Sequence, residues 1–210
     1  MSGKLFTIGH STFPQERLIC RLKMHNVTHL LDVRSVPYSA FASQYNREEL
    51  SALLIREGIK YSYMGMFFGA RPSDPALYSD EGYLDFEKVR ESVRFKTAVQ
   101  NVIIGLQEGN SIALMCTEKM PIDCHRAILV ARGFELAGVD VEHILPDGDV
   151  LTQSELDQLL LEMFFPNRNQ LSLFEPLRSE EEYICDAYKE RNREIGFRPD
   201  SVVKKAGGLQ

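Results

Sequence analysis

The chain has 210 residues, with 24 lysines and arginines against 30 aspartates and glutamates, a net charge of -6, and 44% hydrophobic residues. This is the composition of a globular protein with one main domain plus a tail. No run of eighteen or more apolar residues occurs and MSGKLFTIGHST is no leader peptide, so the expectation is a cytoplasmic protein that neither spans a membrane nor is secreted. The acidic balance argues against a surface that holds nucleic acid by neutralising many phosphates, so any action on DNA needs something else to bring the protein there.

Strand-like and helix-length runs alternate to residue 145, the mark of a mostly parallel sheet covered by helices. Lys4–His10 reads as the first strand, and Thr12-Phe-Pro14-Gln15 as a capping box with proline just inside a helix to about Met24. His29–Arg34 is the second strand. Asn46–Gly58 has helical spacing and ends on glycine, and Lys60–Met64 is a short third strand. Gly65–Gly82, with its Gly, Pro, Asp and Ser, reads as a long irregular stretch of the functional or mobile kind. Phe86–Glu108 is the longest helical pattern, Ser111–Cys116 the apolar fourth strand, Cys124–Gly138 a helix and Asp140–Leu145 the fifth strand. After Pro146-Asp147-Gly148 the pattern changes. Thr152 to Glu155 caps a helix to about Phe164, PNRNQLSLFEP follows, and a charged helix lies near Ser179–Ile195. The expected organisation is an α/β domain over 1–147 and a helical appendage over 148–210.

Ligands of an open parallel sheet bind beyond the carboxyl ends of its strands. There the sequence puts Gly9-His10-Ser11, Asp32-Val33-Arg34 and Cys116-Thr117-Glu118, with Cys124-His125-Arg126 opening the next helix. Such a set is hard to explain as solvated surface alone. Single members have plainer readings: His10 as a structural hydrogen-bonder, Glu118 as a loop carboxylate, and Asp32 with Arg34 as a pair sharing one strand face. His25, His29 and His143 read as structural. The four cysteines make no disulfide framework; Cys20 and Cys185 read as packing residues. Cys124, near a helix N-terminus with His125 and Arg126 beside it, is suited to a thiolate. Three uses of Cys116 and Cys124 stay open: a nucleophile or thiol-exchange pair, a zinc site with His125 and His10, or a structural or substrate-orienting role. The seven residues between them do not match the usual short zinc knuckle, and no metal or cofactor is assigned. Neither glycine-rich phosphate motif occurs, which argues against NTPase and nucleotide-dependent redox chemistry, and there is no G-x-S-x-G elbow.

GHST, LDVRSVPYS, GIKYSYM, and above all ALMCTEKMPIDCHR followed by a helix and VEHI, resemble the domain-of-unknown-function family numbered 488 over roughly residues 4–147. The resemblance implies a Rossmann-like, three-layer α/β domain with about five strands and a site at their ends, and names no reaction. Its polar signature falls on His10, Ser11, Asp32, Arg34, Pro37, Cys116, Glu118, Cys124, His125 and Arg126. Where the family shows a Leu-Gly-Gly turn, this chain has Phe68-Gly69-Ala70, then Arg71-Pro72. The expected catalytic set is His10, Asp32, Arg34, Cys116, Glu118, Cys124, His125 and Arg126. Ser11, Pro37, Gly69 and Arg71 are expected to bind substrate.

Gln170-Leu171-Ser172-Leu173-Phe174 is similar to the bacterial sliding-clamp binding pentapeptide. Leu173 and Phe174 would fill a hydrophobic pocket, Gln170 would hydrogen-bond at its edge, and Pro166 and Pro176 would keep the segment extended. The alternative is that Leu171, Leu173 and Phe174 pack back onto the domain. The resulting expectation is a bacterial enzyme of DNA maintenance, acting on a nucleotide or base in DNA by hydrolysis or base removal and tethered there by the clamp. In that scheme Asp32 or Glu118 acts as general acid or base, Arg34 and Arg126 hold phosphate, and His10 orients substrate or shuttles a proton. The competing expectations are thiol or sulfur transfer, with Cys124 attacking and Cys116 resolving, and a non-catalytic clamp-binding adaptor.

Overall fold

Six strands, β1 (Leu5–Gly9), β2 (His29–Asp32), β3 (Lys60–Tyr63), β4 (Ile112–Cys116), β5 (Val141–Ile144) and β6 (Val150–Thr152), form one sheet in the order β3-β2-β4-β1-β5-β6. This is a computed structural model, and the residues it describes are 3–168 and 178–199. All pairings are parallel except that of β5 with β6. The five parallel strands are the expected ones, a residue or two shorter at their ends. The sixth comes from Val150-Leu151-Thr152, too short to carry a readable alternation, and is turned back antiparallel through Gly148, whose φ of +102° suits glycine.

β1 and β4 are buried along their whole length, as strands with neighbours on both edges and helices on both faces must be. Their side chains alternate between two apolar layers. Ala113 and Met115 join Phe6, Ile8 and the helices α1 (Gln15–Met24) and α2 (Arg47–Arg56) on one face. Ile112, Leu114 and Cys116 join the other layer. There they meet α4 (Phe86–Glu91), α5 (Val93–Gln107), the π-helical turn Arg126–Ala131 and residues of α7 (Gln153–Phe164) and α8 (Glu180–Ile195). The short helices α3 (Gly65–Phe68) and α6 (Arg132–Glu135) complete the set; α3 and a 3-10 turn at Pro75–Leu77 both lie in the Gly65–Gly82 stretch read as irregular, and correct that reading in part.

Several local expectations are corrected. The capping box at Thr12 does not form: α1 starts at Gln15 behind Pro14, with no side-chain cap. Backbone pairing of β1 with β4 runs on past both strands, with Ser11 N donating to Thr117 O, and Ser11 then turns with a φ of +49°. The long helix expected over 86–108 is two helices. Ser92 is extended, ends α4, and caps α5 by accepting from Phe95 N. Cys124 is extended rather than helical, and the winding that follows it is π before it is α.

The capping boxes Thr152–Glu155 and Ser179–Glu182 are both present. Beyond residue 147 the chain stays joined to the domain: β6 extends the sheet, and Ala187 and Tyr188 of α8 are buried in the same layer as Leu114. The Asn192 side chain accepts from Phe86 N and donates to Leu84 O, tying α8 to the start of α4. The pentapeptide Gln170–Phe174 lies outside the described residues. Among those described, no helix is long and apolar enough to cross a membrane.

Candidate functional site

Because β4 is inserted between β1 and β2, the carboxyl ends of the three strands lie side by side. A cleft of about 500 Å³ opens over them, with His10, Arg34, Cys116, Glu118, Cys124 and His125 in its walls. Arg71 lines it too. Ser11, Pro37 and Gly69 do not; Gly69 is instead held against Ser35 and the Gly65 carbonyl, where a Cβ would collide. A cleft of about 580 Å³ at the opposite ends of the strands, lined by Gly3, Lys4, Asp140 and Glu142 among others, gathers no thiol and no imidazole.

The cysteines meet because the loop between them folds back. A 3-10 turn at Pro121–Asp123 ends with Cys124 N donating to Pro121 O, which returns Cys124 to the end of β4. Arg126, fully buried, pins the same loop. Its Nη1 donates to Glu118 O at 2.6 Å, its Nη2 to Lys119 O at 3.2 Å and its Nε to Thr7 Oγ1 at 3.3 Å. Arg126, expected to hold phosphate, is 0% exposed and is not among the residues lining the cleft. Gly9 lies directly beneath this loop, where a Cβ would strike the Glu118 carbonyl.

His125 Nε2 donates to Val33 O at 3.1 Å, which leaves Nδ1 as the bare nitrogen. Nδ1 stands 3.6 Å from Cys116 Sγ and 3.9 Å from Cys124 Sγ, and the three atoms lie within 4.8 Å of one another. Burial pushes the Cys124 thiol up, but the hydrogen bond from Cys116 and the Arg126 charge oppose it and hold Cys124 well down. Cys116 is pushed well up by its bond to Cys124, by burial and by the neighbouring negative charge. The two thiols are thus pushed in opposite directions.

Asp32 and Arg34 form a buried, bidentate pair: Arg34 Nε donates to Oδ1 at 2.8 Å and Nη2 to Oδ2 at 2.6 Å. Tyr61 OH also donates to Oδ2, and Arg34 N to Oδ1, so no oxygen of Asp32 is left for acid–base work. The carboxylate is a positioning group for Arg34, which also donates to Tyr45 O. His10 is fixed on the other side. Its Nδ1 donates to Ser11 O at 2.6 Å, its Nε2 accepts from Arg34 Nη1 at 3.3 Å, and its ring stacks on Tyr45 at 4.1 Å. Burial and the Arg34 charge hold the imidazole down to about 4, so it stays neutral near pH 7. Glu118 sits exposed at the rim, pushed up by partial burial and by the Cys124 charge. Asp123 also lines the cleft, where Arg191 holds its Oδ1, whereas the Glu118 carboxylate is not in an ion pair among the described residues.

Two features escaped the sequence reading. The loop after β2 carries Tyr38 into the cleft wall and leaves Phe41, one residue before the lining residue Ala42, 96% exposed; Pro, Tyr and Phe in a non-periodic run were its only signal. The far end of α8 returns Ile195 and Phe197 to the cleft, with Arg71 over the Phe197 ring at 4.7 Å. Arg191 of α8 also grips Asp123 and the Ile122 carbonyl, next to Cys124. Nothing in the charged pattern of 179–195 pointed to this.

A family model described as a domain of unknown function, DUF488, matches residues 14–132, more than half of the chain. No curated protein and no solved structure matches.

Proposed function

The chain belongs to the DUF488 family, and on that premise we propose that it is an enzyme hydrolysing a nucleotide or a base in DNA bound over the carboxyl ends of β1, β2 and β4. The observation that carries this reading is the convergence of Glu118, Cys116, Cys124 and His125 with Arg34 and Arg71 in one cleft. Arg34, held rigid by Asp32, and Arg71 suit an anionic group. Tyr38 and the exposed Phe41 offer flat faces on which a base can stack. Glu118 is the acid–base group. An acidic chain needs a tether to act on DNA, and the pentapeptide Gln170-Leu171-Ser172-Leu173-Phe174 supplies one in the form of sliding-clamp binding.

The test is a screen of mononucleotides and of modified or damaged oligonucleotides. Glu118→Gln is expected to lower turnover by about a hundredfold or more while binding is kept, and Arg71→Ala to raise KM. Binding without turnover would favour a non-catalytic adaptor and sink the enzyme. Clamp binding is read separately, wild type beside the Gln170→Ala/Leu173→Ala/Phe174→Ala variant. The second reading, thiol or sulfur transfer by Cys124 with Cys116 resolving, is favoured by the sharing of one imidazole nitrogen between the two sulfurs. Its activity should be lost in Cys124→Ser and survive Glu118→Gln.

A further inference from the structure

We propose that Cys116, Cys124 and His125 bind one zinc ion, with a fourth coordination position open to the cleft. This rests on the reading above only in setting the ion at the reacting end of that cleft; the identity of the substrate does not enter.

The distances are the first support. Zinc takes sulfur at about 2.3 Å and nitrogen at about 2.1 Å in a tetrahedron, which separates sulfur from nitrogen by about 3.6 Å. The two separations here are 3.6 Å and 3.9 Å, and all three donor atoms fall within 4.8 Å. Both sulfur–nitrogen separations thus lie near that value, and the sulfur–sulfur separation is no more than 4.8 Å. The tautomer is the second support. A metal-bound imidazole ordinarily donates its far N–H to a carbonyl or carboxylate, and His125 Nε2 does so to Val33 O, aiming the bare Nδ1 at the two sulfurs.

The surroundings are the third. Both cysteines are buried, and all three residues line the cleft, so the remaining ligand must come from there as water or substrate. His10 cannot close the shell, since both its nitrogens are engaged, with Ser11 O and Arg34. Three protein ligands with one open position is the catalytic arrangement of zinc; four would make it structural. Two thiolates and an imidazole also disfavour magnesium and calcium. The spacing of the cysteines is longer than in a zinc knuckle, and the turn at Pro121–Asp123 removes that objection by folding the loop back on itself. Glu118, two residues past Cys116, lines the same cleft.

The experiment loads the reduced full-length chain with Co²⁺ as a spectroscopic stand-in. One equivalent is expected to give the ligand-field bands of tetrahedral cobalt with a thiolate-to-cobalt charge-transfer band, both erased by Zn²⁺. The Cys20→Ser/Cys185→Ser variant, which removes the two exposed thiols, should leave the spectrum unchanged. Cys124→Ser and His125→Ala should each weaken Co²⁺ binding by about tenfold or more, with circular dichroism to establish that the metal-free variants are folded. Reduced wild type that gives no such spectrum overturns the proposal, as does a spectrum that persists in Cys116→Ser/Cys124→Ser. A cobalt spectrum without nucleotide turnover upholds the site and sinks the substrate reading. Turnover by a chain that takes up no cobalt and ignores chelators does the reverse.

Discussion

At the scale of single residues, the site depends on charges that have been taken out of water and matched. Asp32 is completely buried and its whole hydrogen-bonding capacity goes to Arg34 and Tyr61. Asp32→Asn leaves the Arg34 guanidinium as an uncompensated buried charge, at an expected cost of about 3 kcal/mol in urea denaturation. Arg34 and Asp32 were legible as a pair because alternate residues of a strand share a face; that the pairing would occupy every carboxylate oxygen was not, since Tyr61 comes from another strand. Two buried imidazoles set the acid limit. Burial and the Arg34 charge hold His10 down to about 4, and burial and the Arg126 charge hold His143 down to about 3. Both values are depressed, so the stability they confer is complete above the unfolded value near 6.5 and is lost as pH falls towards the folded ones. Each contributes a slope of about 1.4 kcal/mol per pH unit below 6.5. His143→Gln, measured by chemical denaturation between pH 7.5 and pH 5, should flatten the loss by about one proton's worth.

At the scale of elements, the parallel strands were legible because each is an apolar run bounded by turn residues, and the two-residue alternation of β4 sorts its side chains between two layers. The break at Ser92 was hidden, because apolar spacing continues across it from Val89 to Phe95 and Val99. Only the preference of serine for a cap hinted at it. Ser92→Ala removes the acceptor for Phe95 N and should cost about 1 kcal/mol, seen as a lowered Tm with unchanged helix content. The closeness of Cys116 and Cys124 was likewise unreadable from their spacing. It follows from a turn and from three hydrogen bonds of Arg126, a residue the sequence suggested for binding phosphate. A π-helical turn follows directly, a winding that recurs at functional sites, and no composition signal marks it.

At the scale of the molecule, α8 belongs to the same body as the sheet. Its Asn192 satisfies the buried Phe86 N–H and Leu84 carbonyl, so Asn192→Ala should cost about 2 kcal/mol or more. The same substitution should raise the KM of any activity assigned to the cleft, because Ile195 and Phe197 follow from that anchor. The insertion of β4 between β1 and β2 has a further consequence, for the order in which the protein is made. Leu5 pairs with Ile112 on one side and Val141 on the other, so β1 waits for roughly a hundred residues of further synthesis with neither edge covered by its partners. Such an apolar strand is an aggregation hazard while it waits. The histidine that follows it can take its station only after the cysteine-bearing strand has been synthesised and docked, so newly made chains must pass through a period in which they are long, sticky and without a complete site.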